Sequence, residues 1–196
     1  TATALALAAS LASGIKATFG TMTKPLHSGH CARAGLQAAL LAKKGFTANP
    51  AAFEHKQGFF NLFNGAGHYD AALALEAWAE PLDIVEPGAC YKQYPCCAST
   101  HAPVDAALAL REQHRFALSD IARIETWTPA RRLAHTNRPN PQTPLDAKFS
   151  VQYCVARALV SGSVVFEHFE GDALADGGVR ALLGKVQSEP HYPGQF

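Results

Sequence analysis

Two stretches of the chain place basic and imidazole side chains at spacings that suit work on an anion. In GTMTKPLHSGH (residues 20–30), Lys24 and His27 stand three residues apart in a Gly/Thr-rich loop, with Pro25 fixing the backbone between them. A helix over residues 29–44 follows, so its entrance presents a cation and an imidazole, a combination that suits an anionic ligand. In YPCCASTH (residues 94–101), His101 follows Ser99 and Thr100, which can cap the helix that it opens. The dipole at a helix N-terminus keeps an imidazole neutral, the form needed by a general base near pH 7. Asp105, four residues on, can orient it.

Each of these residues also has a plainer reading. A lysine is most often a solvated surface group, and a histidine at a helix mouth can simply cap it. For His27, positioning Lys24 is a further option, and His30 is read as structural. Tyr153, in KFSVQY, sits on an amphipathic helix, where a tyrosine is usually core with its hydroxyl satisfied. Arg131, Arg132 and Arg138 form a basic loop, from which Arg138 can bind a carboxylate. Cys96 and Cys97 have no assignable activating histidine and read as bystander thiols. Three phenylalanines in GFFNLF (residues 58–63) read as core. Taken together, these groups suit proton abstraction α to a carboxylate, with cations stabilising the enolate-like intermediate.

Composition narrows the classes. The 196 residues carry 17 Lys and Arg against 16 Asp and Glu, a net charge of +1. No single-sign field points to nucleic acid or a membrane surface. Nine histidines are scattered, with no HxxxH or HExxH pair, which argues against a zinc site and a metal-dependent hydrolase. Five cysteines, odd in number and without CxxC, fit reduced thiols in a cytoplasmic protein and supply no iron–sulfur run. No metal or organic cofactor is expected. The Ala-rich opening, TATALALAASLASG, is too short for a spanning helix and reads as a buried helix continuing from upstream.

The elements that must position these groups change character along the chain. Helices are expected over residues 2–13, 29–44 and 70–79, with a brief one at 51–54. After Pro81, residues 83–85 and 89–91 read as extended pieces around a Glu-Pro-Gly turn. A helix over 100–114, a half-buried strand over 121–128 and a loop over 131–144 follow. Helices at 146–160 and 172–183 and a short strand at 185–188 complete the pattern. The expected fold is mainly α with an α+β part: a helical domain over 1–88, an α+β domain over 89–190 and a tail over 191–196.

Three motifs carry a family resemblance in order: KPLHSGHCARAGLQAALLAKKGFTA, KQYPCCASTHAPVDAALAL and PLDAKFSVQYCVARALVSG. They resemble the MmgE/PrpD family, which includes 2-methylcitrate dehydratases, cis-aconitate decarboxylases and an iminodisuccinate epimerase. The resemblance implies a large all-helical domain, present here in part, plus a smaller α+β lid, with the active site between them. It makes His101, Lys24 and Tyr153 the catalytic group. His27, Lys148 and Arg138 become substrate-binding candidates, with Ser150 nearby. It further implies a small di- or tricarboxylate substrate, a homodimer, and active-site groups from a helical segment upstream. This stretch by itself is therefore expected to be inactive or nearly so, with apolar surface exposed on its first helices. Cofactor-independent dehydration of 2-methylcitrate is the leading expectation. Epimerase or decarboxylase action, or a non-catalytic interaction module, are the alternatives.

Overall fold

The computed structural model describes residues 1–76 and 78–192, and the chain divides into two compact units, Thr1–Cys90 and a second from Tyr91 onward. In the first, α1 (Ala2–Ser10) packs on α2 (Thr23–Lys43). Small residues make this close approach possible: Ala6 on α1 and Ala34 and Ala38 on α2 are the buried positions. Leu36 and Leu40, which recur at helical spacing, lie elsewhere on α2, and both are more than half exposed. Leu5 and Leu62 are exposed as well, in keeping with the expected apolar surface.

The helix α2 starts six residues earlier than the spacing predicts. Lys24 and His27 therefore stand on its first turns rather than in a loop. Pro25 is tolerated there because first-turn N–H groups have no intrahelical acceptor. The short α3 (Phe59–Asn64) carries Phe59 and Phe63, with ring centroids 4.7 Å apart, but Phe63 is half exposed rather than core. No helix forms at 51–54. Over 70–79, part of which lies outside the described residues, only a 3-10 turn at Ala72–Ala74 appears. Its start explains this: Asp70 accepts from the Ala72 N–H at 2.9 Å, a local turn that competes with helix. Residues 84–88 are a distorted helical turn with Pro87 inside, which includes the expected Glu-Pro-Gly turn but takes Ile84 and Val85 out of the expected extended piece.

The second unit is built around α7 (Val151–Ser161). Every residue of it from Val151 to Leu159 is buried. Such a helix must be covered on all sides. The neighbours that pack against it are α4 (His101–His114), α8 (Gly177–Leu183) and strand β2 (Val186–His191). Ser150 starts α7 by accepting from the Tyr153 N–H at 2.9 Å, and Gly162 ends it with φ +69°. That cap also breaks the helix expected over 146–160 in two, since α6 (Pro144–Lys148) stops just before it.

Strand β1 (Ile124–Pro129) pairs in parallel with β2, Ile124 opposite Val186. The alternation in β1 turns Thr128 inward and leaves Trp127 half exposed. Between them in sequence, α5 (Ala130–Thr136) occupies part of the stretch expected as loop. Its prolines lie beyond its end, and the burial of Leu133 and Thr136 holds the turns together. Strand β2 runs into the expected tail as far as His191; from residue 193 that tail lies outside the described residues.

Candidate functional site

His101 opens α4, but not through the expected caps. Thr100 makes no side-chain cap; its hydroxyl donates back to the Cys97 carbonyl at 2.8 Å. Ser99 turns instead to His135 on α5, with Oγ and Nε2 3.2 Å apart. Asp105 does not orient His101 directly either: its Oδ1 accepts from the Tyr94 hydroxyl at 2.5 Å. The Tyr94 ring stands edge-on to the His101 imidazole, centroids 5.2 Å apart and planes at 79°. Burial, reinforced by the hydrogen bond to Asp105, pushes the Tyr94 phenol up to about 12, so it stays protonated as a donor.

The His101 Nε2 is buried and has no hydrogen-bond partner among the described residues. Buried polar atoms are nearly always paired, so this ring nitrogen stands out. The preceding segment is tightly tied: Lys92 Nζ donates to the Cys96 carbonyl at 3.0 Å, and the Cys97 N–H to the Lys148 carbonyl at 2.8 Å. The second bond brings the ends of the YPCC stretch and α6 together.

Lys148 closes α6, its ammonium 5.9 Å from the Phe166 ring centroid and 5.8 Å from that of Phe169. Arg138 is engaged: its Nη1 meets Asp146 Oδ1 at 2.6 Å, and its guanidinium lies 5.4 Å from the Phe149 centroid. Tyr153 is fully buried. Its hydroxyl donates to the His168 carbonyl at 2.5 Å and accepts from Arg157 Nη2 at 3.1 Å. This is the satisfied core tyrosine of the plainer reading, with no surface of its own to offer a substrate.

In the first unit, Lys24 is half-buried, and its ammonium sits over the Phe19 ring, 4.5 Å from the centroid. The His27 imidazole lies against Gly14, so close that a Cβ there would come within 3.2 Å of Nδ1. The two side chains, at i and i+3, share one face of α2.

Sequence reasoning passed over Tyr94, His135 and the pair Arg157–Asp176. A signal existed for Arg157, a charge inside the otherwise apolar run CVARALV. It is buried, and its Nη1 meets Asp176 Oδ2 at 2.8 Å while Nη2 donates to the Ala173 carbonyl at 2.6 Å. Asp176 also caps α8 by accepting from the Gly178 and Val179 N–H groups. Nothing in residue spacing announces the Tyr94–Asp105 pairing, which depends on how the loop returns to α4.

Among the described residues, no group of three or more His, Cys, Asp or Glu side chains is placed to hold a metal ion. Nor is any helix among them long and apolar enough to cross a membrane. An apolar groove of about 1120 Å³ lies along α4 and β1, lined by Ala106, Leu110, Ile121 and Trp127 among others. None of the sequence-predicted site residues lines it.

Comparison with known proteins agrees with this architecture. The MmgE/PrpD N-terminal domain matches residues 1–72 and the MmgE/PrpD C-terminal domain residues 94–192. Cis-aconitate decarboxylase of Mus musculus is 32% identical over 98% of this chain and 40% of its own length. The Homo sapiens protein of that name is 32% identical over 97% of the chain and 39% of its own. A cis-aconitate decarboxylase-like protein of Aspergillus oryzae is 27% identical over the whole chain and 44% of its own length. The chain thus spans about 40% of the length of the curated relatives it matches. With both domain families matched in order along its two compact units, the chain belongs to the MmgE/PrpD family.

Proposed function

We propose that the complete protein is a lyase acting on a small tricarboxylate, with decarboxylation of a cis-aconitate-type substrate as the first reading. The observation that carries it is the buried, unspent Nε2 of His101 at the start of α4. The two curated cis-aconitate decarboxylases support the choice of reaction. Loss of CO2 leaves an electron pair on the carbon that bore the carboxylate, delocalised into the adjacent double bond. A proton must then be delivered, and His101 delivers it. Lys24 holds a substrate carboxylate, with His27 beside it on the same face of α2. Lys148 is assigned to carboxylate binding as well, whereas Arg138 must exchange Asp146 for substrate to take part. Tyr153, its hydroxyl spent on the His168 carbonyl and Arg157, is given no direct part in the reaction.

Dehydration of 2-methylcitrate is the second reading. It uses the same groups with the first proton moving the other way: neutral His101 abstracts the proton α to a carboxylate, and the β-hydroxyl leaves. With either reading the complete protein is proposed to be a cytoplasmic homodimer, as the family resemblance implies.

The test is turnover by the complete protein on cis-aconitate, 2-methylcitrate and iminodisuccinate, followed by NMR of the products. Lys24→Ala and His101→Ala are assayed alongside. Conversion of cis-aconitate to CO2 and a dicarboxylate, lost in both variants, supports the first reading. Loss of water from 2-methylcitrate selects the second. Turnover of none of the three, or activity unchanged in both variants, rejects the catalytic assignment and favours an interaction module on this scaffold.

A further inference from the structure

A nitrogen that must exchange a proton with substrate cannot also be the handle by which the protein orients the ring. In this chain the His101 Nε2 makes no hydrogen bond among the described residues, so the imidazole plane has to be set by something other than a bond to that atom. What stands against the ring is Tyr94, edge-on at 5.2 Å and itself 8% exposed. Tyr94 is in turn held by its hydroxyl on Asp105. Asp105 lies one helical turn beyond His101 on α4, about 6 Å along the axis at 1.5 Å per residue.

We propose that Tyr94 is a positioning residue for His101, with Asp105 as its anchor; this rests on the reading of His101 as the proton-transfer group. The three residues form a closed figure: the α4 backbone joins His101 to Asp105, a 2.5 Å hydrogen bond joins Asp105 to Tyr94, and an edge-on ring contact joins Tyr94 to His101. Each side restrains the other two. Edge-to-face rings have a preferred geometry, so the contact resists rotation of the imidazole as well as its displacement. The segment bearing Tyr94 is itself tied down, by the Cys96 N–H to the Tyr94 carbonyl at 2.8 Å and by the two bonds that hold Lys92 and Cys97. The figure thus orients the imidazole while leaving the working nitrogen unengaged.

The experiment uses the complete protein and the substrate identified by the turnover assay. Tyr94→Leu, which removes the ring, and Tyr94→Phe, which keeps it but cuts the anchor, are compared with Asp105→Asn and with His101→Gln. The readouts are kcat and KM separately, together with the His101 Hε1–Cε1 resonance in protein labelled at histidine. Misplacing a catalytic group by about 1 Å costs on the order of 100-fold. Tyr94→Leu is therefore expected to lower kcat by roughly that factor with KM nearly unchanged, and to move the His101 resonance as the neighbouring ring current disappears. Tyr94→Phe loses a few-fold, Asp105→Asn no more than that, and the two together no more than either. A His101 resonance that stays put in both Tyr94 variants overturns the proposal, as does a moved resonance with wild-type kcat. If His101→Gln retains turnover, the functional reading fails and the positioning role with it. That failure is distinguished by the resonance, which reports the ring contact without any turnover.

Discussion

Asp176 reaches Arg157 across 2.8 Å while accepting from two N–H groups at the start of α8, so one carboxylate both pairs the buried guanidinium and caps a helix. The Arg157 head, otherwise surrounded by core, has its remaining Nη bonds on Tyr153, Ser161 and Ala173. Asp176→Ala strands a buried charge and uncaps α8 together. A destabilisation of about 3 kcal/mol is expected, at the lower end for a broken buried pair because Asp176 is partly exposed. Arg157→Met is expected to cost less, since it leaves an exposed-side carboxylate still bonded to the helix. Urea denaturation followed by tryptophan-independent circular dichroism gives both values, and equal costs would argue against the charge-stranding account.

The same region sets an acid response with two steps. Burial, and then the nearby Arg157 charge, hold the His168 imidazole below its ordinary 6.5. The folded state therefore binds this proton less readily than the unfolded chain. Its contribution is complete above pH 6.5 and is lost as pH falls through the lower folded value. Hydrogen bonds from Val179 and Arg157 hold the Asp176 carboxyl below its ordinary 3.8, so its contribution is present above that pH and lost as pH falls through the folded value. Denaturation midpoints measured from pH 8 to about pH 2 should show both declines, and His168→Gln should remove the upper one. An upper decline that persists in that variant would assign it to another group.

Thiol reactivity should follow access rather than acidity. The hydrogen bond from Cys154 lowers the Cys96 thiol, and the same bond with burial raises Cys154. Yet Cys96, Cys97 and Cys154 are all buried, whereas Cys31 and Cys90 are exposed. Brief treatment of the chain with iodoacetamide, read by peptide mass mapping, is expected to label Cys31 and Cys90 first. Labelling of Cys96 at the rate of Cys90 would show that the YPCC segment opens readily, contrary to its ties to Lys148 and Thr100.

Gly14 is a glycine whose conformation and surroundings both bear on a site residue. Its φ of +118° is strained for any side chain, and the His27 ring fills the space that a Cβ would take. Gly14→Ala is expected to cost about 1–3 kcal/mol through backbone strain and to displace the His27 imidazole. A KM that rises with little loss of folded protein would fit the proposed place of His27 near a substrate carboxylate. A variant with native stability and KM would put His27 outside binding.

Legibility in the sequence tracked how much of an element's character is local. The largely apolar α7, the alternating strand β1 and the periodic α4 were all readable, because burial on one or every side leaves a pattern in the residues themselves. The helical turn of Ala130–Thr136 was hidden by the prolines that follow it, and the helix expected at 70–79 lost to the Asp70 turn. The buried stripe of α2 fell on Ala34 and Ala38 because α1 comes close, and helix spacing cannot say which face a neighbour will choose. The candidate site divides the same way. His101 was marked by its place after Ser99 and Thr100, but its actual companions, Tyr94 and His135 by way of Ser99, come from chain returns that no spacing encodes.

The envelopment of α7 also fixes how the second unit trades hydrogens with water. From Val151 to Leu159 every residue is buried, so the amides of this stretch are shielded from exchange in the folded state. They can take up deuterium only when the surrounding layer of α4, α8 and β2 comes apart at once. The slowest amides of the unit therefore report its global opening, and α7 serves as a built-in clock for the lifetime of the folded state.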